Sequence, residues 1–253
     1  MDYQITLGIF EILNIVLVII FLMFGVFYFS NIWNNSLSKP YAWVAAVNNN
    51  EVTKELIRFE KNYYDKIRLY NIWFQINRIK HEKIEGSFAE LGVYKGETAK
   101  IIHECANDKP LFLFDTYEGF DAKDLEYEVS DDPKYSTENF SDVNIDDIKL
   151  LINPNDNVQF IKGYFPDSLR KEHDIKYAFV NLDADLYKPT LAALRYFYPR
   201  LSAGGVIIIH DYNHSWDGNR KAIDEFASSI RDTIIEIPDS QGSAMIIKTT
   251  QHV

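Results

Sequence analysis

The chain has 253 residues, of which 26 are Lys or Arg and 37 are Asp or Glu, so its formal net charge is −11. This acidic balance argues against a nucleic-acid-binding protein, because phosphate binding needs clustered basic side chains. The apolar share of 47 % excludes an intrinsically disordered chain, and the single cysteine, Cys105, excludes a disulfide scaffold or a multi-cysteine metal site.

The chain opens with a candidate membrane anchor, which we place in residues 1–30. Residues 12–29 read ILNIVLVIIFLMFGVFYF and carry no charge. As a helix they would extend about 27 Å, close to the thickness of a bilayer's hydrocarbon layer. Lys39 is the first basic residue and follows this stretch. The positive-inside rule therefore predicts a single-pass membrane protein whose C-terminal bulk is cytoplasmic.

Two segments connect the anchor to the rest of the chain. Residues 31–50 are interpreted as a juxtamembrane linker, with Trp33, Tyr41 and Trp43 in the headgroup layer. Residues 51–81 have apolar side chains at helical spacing, which predicts a helical cap of one or two amphipathic helices.

Residues 82–253 alternate short apolar strands with helices, which predicts an α/β domain. Strands that are apolar along their whole length are typical of a parallel sheet covered on both faces. Ligands of such sheets bind outside the carboxyl ends of the strands, so the chemistry is expected there. The predicted strands are residues 88–92, 111–115, 158–163, 177–183, 206–210, 233–237 and 244–248.

The ends of the first strands carry a glycine loop and a carboxylate. After Glu90, Gly92 permits a tight turn and the close approach of a ligand, and Gly96 can open the next helix. Asp115 ends the second strand 23 residues after Gly92, where a carboxylate can accept hydrogen bonds from ribose hydroxyls. The loop is not G-x-G-x-x-G, and Glu90 would repel phosphate. These features predict a nucleoside-type ligand that needs no phosphate, a description that S-adenosylmethionine fits. Gly163, at the third strand end, is a further cofactor-binding candidate.

Two later strand ends carry a candidate site for a divalent cation. Asp183 ends one strand, and His210 and Asp211 follow the next. Neighbouring parallel strands would bring these side chains together, and carboxylates with an imidazole can bind a divalent cation. The alternative is that Asp185 caps a helix and Asp211 is merely solvated. Asp183 and His210 are also the candidate catalytic residues, as ligand or base, with His214 a third candidate for the base.

Residues 116–156 form a long acidic segment between two predicted strands. A segment of this length inside a compact domain is often functional, so we interpret it as a lid insertion over the acceptor site. The alternative is an insertion without a role.

Four segments resemble the macrocin O-methyltransferase family, whose members methylate macrolide deoxysugars. They are residues 86–96 (GSFAELGVYKG), 115–120 (DTYEGF), 158–169 (VQFIKGYFPDSL) and 182–205 (LDADLYKPTLAALRYFYPRLSAGG). The resemblance extends over about residues 81–250 and does not include the anchor.

The resemblance implies a class I S-adenosylmethionine-dependent methyltransferase fold, with helices on both faces of a seven-stranded, mostly parallel sheet whose last strand is antiparallel. It also implies Mg²⁺-assisted O-methylation of a sugar hydroxyl. His210 stands where the family usually has the first Asp of a "DDY" motif. Imidazole is a softer ligand, which brings Mn²⁺ and other transition metals into consideration. The residues that carry over are Glu90, Gly92 and Gly96 as cofactor loop, Asp115 as ribose ligand, and Asp183, His210 and Asp211 as metal positions.

The sequence leaves the acceptor open. A sugar or glycan hydroxyl is the first hypothesis, and a non-sugar small molecule or a lipid is the second. A third interpretation is a non-catalytic cofactor-binding module tethered to the membrane, against which the joint presence of Glu90, Asp115 and Asp183 argues. Whether the chain forms a homo-oligomer is also left open.

Overall fold

The computed structural model describes residues 8–33, 39–128, 136–215 and 217–249. Parts of four predicted segments lie outside the described residues. These are residues 1–7 of the anchor, 34–38 of the linker, 129–135 of the lid, and 216 and 250–253 of the α/β domain.

The described residues form nine α-helices and seven strands. The helices are α1 (Ile9–Trp33), α2 (Tyr41–Asn48), α3 (Lys54–Asn62), α4 (Lys66–His81), α5 (Glu97–Cys105), α6 (Ala122–Leu125), α7 (Ile145–Ile152), α8 (Tyr187–Arg200) and α9 (Asp217–Ala227). The strands are β1 (Ser87–Leu91), β2 (Leu111–Asp115), β3 (Val158–Lys162), β4 (Tyr177–Leu182), β5 (Leu201–Ile209), β6 (Ile234–Glu236) and β7 (Ala244–Ile247).

The strands form one sheet in the order β3-β2-β1-β4-β5-β7-β6. Strands β3, β2, β1, β4 and β5 pair in parallel, and β7 is antiparallel to both of its neighbours. This topology confirms the predicted seven-stranded sheet with an antiparallel last strand. It also brings the carboxyl ends of β1, β2, β4 and β5 to the same edge.

Successive strand residues face opposite sides of the sheet, so each strand contributes to two cores. Phe88 packs in one core with residues of α2, α3, α4, α5 and α7. Its neighbour Ala89 packs in the other, with residues of α8 and α9. Because helices cover both faces, strands that are apolar throughout can be buried on both sides.

The segment that the sequence predicts as a linker is helical over much of its length. Residues 41–48 form α2, and Trp43 is buried, with its ring centroid 5.3 Å from those of Tyr70 and Trp73. The expected headgroup position of Trp43 is therefore corrected, because its indole belongs to the core of the domain. Tyr41 is exposed on the same helix.

Residues 51–81 form two helices, α3 and α4, each with a side-chain cap at its N-terminus. Thr53 accepts a hydrogen bond from the backbone N–H of Leu56 at 3.1 Å, and Asp65 accepts one from that of Arg68 at 3.0 Å. Such caps satisfy amide groups that a helix leaves unpaired.

The helix α1 is set apart from this core. Within its residues 9–32, an 18-residue window has a mean hydropathy of 2.8 and is not buried against the rest of the chain. Its 25 residues extend about 37 Å at 1.5 Å per residue. By length and composition it can cross a membrane.

Candidate active site

A cavity of about 500 Å³ opens at the carboxyl ends of the parallel strands. Of the residues that the sequence singles out, Gly92, Asp115, Gly163, Asp183 and Asp211 line it, whereas Glu90, Gly96 and His210 are not among its lining residues. The lining is acidic, with two basic side chains, Arg68 and Lys95, against seven acidic ones: Glu97, Asp115, Asp121, Asp124, Asp183, Asp185 and Asp211.

The glycine loop after β1 lies directly against the end of β4. Gly92 has φ +84°, and a Cβ atom added there would lie 1.8 Å from the carbonyl oxygen of Asp183. The backbone can pass this close only because glycine has no side chain. Gly96 caps α5 in the left-handed conformation, where a Cβ atom would lie 2.6 Å from Ile148.

The carboxylate of Asp115 accepts hydrogen bonds from backbone N–H groups of the glycine loop. One carboxylate oxygen accepts from the N–H groups of Val93 and Tyr94 at 2.6 and 2.9 Å, and the other accepts from that of Tyr117 at 2.6 Å. The hydroxyl of Thr116 also lies 3.5 Å from the second oxygen. The sequence predicts that Asp115 accepts hydrogen bonds from ribose hydroxyls, and its carboxylate lines the cavity where such a ligand would bind.

Three carboxylates meet at the ends of β4 and β5. Oxygens of Asp183, Asp185 and Asp211 all lie within 4.8 Å of one another. Asp185 and Asp211 are buried and have φ values of +55° and +58°, so tight turns direct them to the same place. One oxygen of Asp211 is buried without a hydrogen-bond partner. We call these three residues the acidic cluster.

The crowding of negative charge shows in the pKa values of the cluster. Burial and the charge of Asp211 raise the pKa of Asp183 to about 7, although the guanidinium of Arg68 opposes the shift. Burial and the charge of Asp183 raise the pKa of Asp185 well above its usual range. The cluster therefore holds its negative charge at a cost that a bound cation would relieve.

Arg68, on α4, is a cavity residue that the sequence reading misses. Its guanidinium is buried and lies 4.0 Å from Asp183, and its Nε lies 3.8 Å from Asp65 and 3.6 Å from Asp239. At these distances the three contacts of Arg68 are ion pairs and not hydrogen bonds. Helical spacing indicates that residue 68 is on α4 but gives no sign that α4 reaches the strand ends.

His210 is held away from the acidic cluster by its hydrogen bonds. Its Nε2 lies 2.6 Å from the amide oxygen of Asn181, and its Nδ1 lies 3.2 Å from the hydroxyl of Ser243. The NH₂ group of Asn181 donates to Glu90 at 3.0 Å, so the proton is assigned to His210 Nε2. Burial and the charge of Arg68 lower the pKa of His210 well below its usual range. The expected metal position of His210 is therefore corrected: the imidazole is buried beside Asn181 and Ser243, and the carboxylates that converge are those of Asp183, Asp185 and Asp211.

Glu90 lies beneath the cavity rather than in its wall. It is buried at the end of β1, and burial together with the charge of Asp183 raises its pKa well above the usual range. Its Oε1 accepts a hydrogen bond from Asn181, whose amide oxygen lies 2.6 Å from His210 Nε2, whereas its Oε2 is buried without a hydrogen-bond partner among the described residues.

The sequence profile of the family described as Macrocin-O-methyltransferase (TylF) matches residues 45–244. The chain belongs to this family. Membership confirms the resemblance seen in the sequence and makes the chain an S-adenosylmethionine-dependent O-methyltransferase.

Two relatives of this macrocin-O-methyltransferase family member are named for the compound and the position that they methylate. The 8-demethyl-8-(2,3-dimethoxy-alpha-L-rhamnosyl)-tetracenomycin-C 4'-O-methyltransferase of Streptomyces olivaceus is 28 % identical over 67 % of this chain and 69 % of its own. The mycinamicin III 3''-O-methyltransferase of Micromonospora griseorubida is 27 % identical over 69 % of this chain and 74 % of its own.

Solved structures show the same fold. The O-methyltransferase NovP matches with a TM-score of 0.61 and 22 % identity, over 73 % of this chain and 81 % of its own. The calicheamicin methyltransferase CalS11 matches with a TM-score of 0.61 and 16 % identity, over 83 % of this chain and 87 % of its own.

The cavity of this macrocin-O-methyltransferase family member fits a sulfonium methyl donor. Seven acidic side chains face two basic ones across the lining, which favours a cationic ligand. Asp115 and Gly92 both line this cavity, where the carboxylate can accept hydrogen bonds from a ligand. The residues therefore fit S-adenosylmethionine.

The acidic cluster fits a divalent cation that prefers oxygen ligands. It supplies three carboxylates, with a buried oxygen of Asp211 that lacks a partner. Mg²⁺ and Mn²⁺ bind such oxygen groups. Asp185 stands in this group where the sequence reading expects His210, and it does not cap α8, whose N-cap is Leu186.

The predicted lid divides into two parts. The lid residues that line the cavity are Thr116, Gly119, Phe120, Asp121, Asp124 and Phe140. The helix α7 instead packs in the core through Ile148 and Ile152, so residues 145–152 are a fixed layer against α5.

Proposed function

We propose that this O-methyltransferase methylates a hydroxyl of a sugar or glycan-type acceptor, assisted by a divalent cation, at the cytoplasmic face of a membrane. The acidic cluster beside the cavity carries the proposal of a cation. The relatives' names, which specify methylation at sugar positions, support a sugar acceptor. The apolar helix α1, with Lys39 as the first basic residue after it, supports the membrane face.

The cavity residues have separate roles in binding the methyl donor and in excluding water. Asp115 and the loop at Gly92 hold the methyl donor, and the lid residues that line the cavity limit water. The acceptor oxygen, methyl carbon and sulfur must be collinear, so most of the rate comes from holding donor and acceptor in line. When bound, a divalent cation supplies a Lewis acid that lowers the pKa of the acceptor hydroxyl.

Asp183 is the residue we propose to handle the proton. It is the member of the acidic cluster with a partly exposed side chain, at 26 %, and it faces the cavity. A carboxylate in the cavity wall can take the proton of an acceptor hydroxyl that lies within hydrogen-bond distance of it. His214 also lines the cavity but is exposed.

The test uses the full chain in detergent micelles. Calorimetry measures binding of S-adenosylmethionine, and transfer of a labelled methyl group to rhamnosides measures activity, each with and without chelator. We expect chelation to abolish transfer and to leave donor binding within a few-fold of its starting value. Asp185→Asn should lose transfer in the same way. Asp121→Asn, a cavity carboxylate outside the cluster, should keep transfer that is sensitive to chelator. Full transfer in the presence of chelator would refute the role of a cation.

A further inference from the structure

Exposed apolar side chains are concentrated in one part of the domain. Outside α1, eight large apolar residues are exposed among the described residues, and five of them lie within residues 39–81. We call residues 39–81, which contain α2, α3 and α4, the extended cap. Its five exposed residues are Tyr41, Val44, Tyr64, Ile67 and Phe74. This grouping along the chain makes the extended cap the candidate contact surface of the domain.

The extended cap differs from the rest of the chain in charge. It contains eight Lys or Arg and four Asp or Glu, a net charge of +4, which leaves −15 for all other residues. Lys54, Arg58 and Lys61 are exposed on α3 together with one exposed acidic residue, Glu55, which lies 3.5 Å from Arg58. A surface with apolar and basic side chains is complementary to a bilayer with anionic headgroups, whereas the acidic remainder would be repelled by it.

The extended cap is also the part of the domain that is joined directly to α1. Six Cα steps of 3.8 Å separate Trp33 from Lys39, so these residues lie at most about 23 Å apart. Lys39 is fixed to the domain by an ion pair of 2.8 Å with Glu60, which is buried and also accepts a hydrogen bond from Tyr70 at 2.8 Å. The chain that follows α1 is therefore held against α3 at Lys39.

The cavity rim lies close to the ion pair between Lys39 and Glu60. Tyr63 and Tyr64 follow Glu60 by three and four residues, and both line the cavity. Four Cα steps bound the distance from Glu60 to Tyr64 at about 15 Å. Tyr64 is 64 % exposed, so one residue belongs both to the rim and to the apolar surface.

We propose that the extended cap lies on the bilayer and that the acceptor is a membrane amphiphile, whose polar glycan head enters the cavity at Tyr63 and Tyr64 while its apolar tail stays in the lipid. The inference rests on the proposed function, since it needs α1 to span the membrane and the cavity to methylate a hydroxyl. In the reaction the acceptor oxygen forms a bond to the methyl carbon, the sulfonium sulfur keeps the electron pair of the broken bond, and the hydroxyl proton passes to Asp183.

The contact with the bilayer is tested on the full chain in vesicles of phosphatidylglycerol and phosphatidylethanolamine. In a Cys105→Ala background, a nitroxide label is attached to Tyr41→Cys or Ile67→Cys in the extended cap, and to Leu150→Cys or Ile235→Cys as matched exposed controls. We expect the labels at 41 and 67 to be relaxed more by oxygen than by a water-soluble nickel complex, and the controls to show the reverse. Labels at 41 and 67 that behave like the controls would overturn the proposal. This readout needs no activity.

The class of acceptor is tested in lysates of source cells from which the gene has been deleted, so that the acceptor is unmethylated. Vesicles with the full chain and radiolabelled S-adenosylmethionine are added, and the products are partitioned between chloroform–methanol and water. We expect the label in the organic phase, at least ten-fold above an Asp183→Asn control. Label confined to the aqueous phase would overturn the amphiphilic acceptor and leave the proposed function standing. No label above the control in either phase would refute the proposed function, while the nitroxide result still decides where the extended cap lies.

Discussion

Replacing Asp183 by Asn should stabilise the protein while it abolishes methyl transfer. The pKa of Asp183 is raised from 3.8 to about 7, because burial and the charge of Asp211 oppose its ionisation. At 1.36 kcal/mol per unit this shift corresponds to about 4 kcal/mol against the folded state when Asp183 is ionised. Because 26 % of the side chain is exposed to the cavity, we discount the figure for solvent screening to about 1–2 kcal/mol.

The sign of the pH dependence follows from the raised pKa. Below pH 3.8 the carboxyl is protonated in both the folded and the unfolded state, and the penalty is absent. As pH rises through about 7 the folded state also ionises, so stability is lost between these values. Asp183→Asn should therefore raise the Tm most at pH 8, by about 2–8 °C for a domain of this size, and less at pH 5.

The assay is thermal unfolding of the full chain in detergent micelles, without divalent cations, at pH 5 and pH 8. Asp167→Asn is the matched control, because Asp167 is 73 % exposed and its removal should change stability by less than about 0.5 kcal/mol. Adding Mg²⁺ at pH 8 should raise the Tm of the parent protein more than that of Asp183→Asn. If Asp183→Asn has a lower Tm than the parent at pH 8, the ion pair with Arg68 outweighs the repulsion and the reasoning is wrong.

Three further changes have expected outcomes. Gly92→Ala places a Cβ atom 1.8 Å from the Asp183 carbonyl oxygen, so calorimetry should show loss of donor binding; Gly25→Ala, with no atom within 4 Å, should bind normally. Arg68→Met leaves buried carboxylates without their guanidinium and should cost roughly 3–5 kcal/mol in denaturant unfolding, which Arg68→Lys partly restores; an unchanged midpoint would contradict this. His210→Asp puts a carboxylate against the Asn181 oxygen and should lower the Tm at pH 8; an undiminished Tm would show that the site accepts a charge.

The sequence by itself determined the sheet and the positions of the strand ends. Strands that are apolar throughout can form only where both faces are covered, so the alternation with helices predicted the parallel sheet. Gly92 and Asp115 are separated along the chain by one turn, one helix (α5) and one strand (β2), which places them at neighbouring strand ends. Both residues line the cavity. The motifs at these ends also carried the resemblance to the family, because they are local in sequence.

The tertiary structure decided which side chains face the cavity. His210 and Asp211 are neighbours after β5, and the turn at Asp211, with φ +58°, separates them: Asp211 joins the acidic cluster, whereas His210 is held by Asn181 and Ser243. Arg68 reaches the cluster only because α4 packs across the sheet, 115 residues away from Asp183 along the chain. Contacts of this kind depend on packing between elements distant in sequence, and no local pattern encodes them.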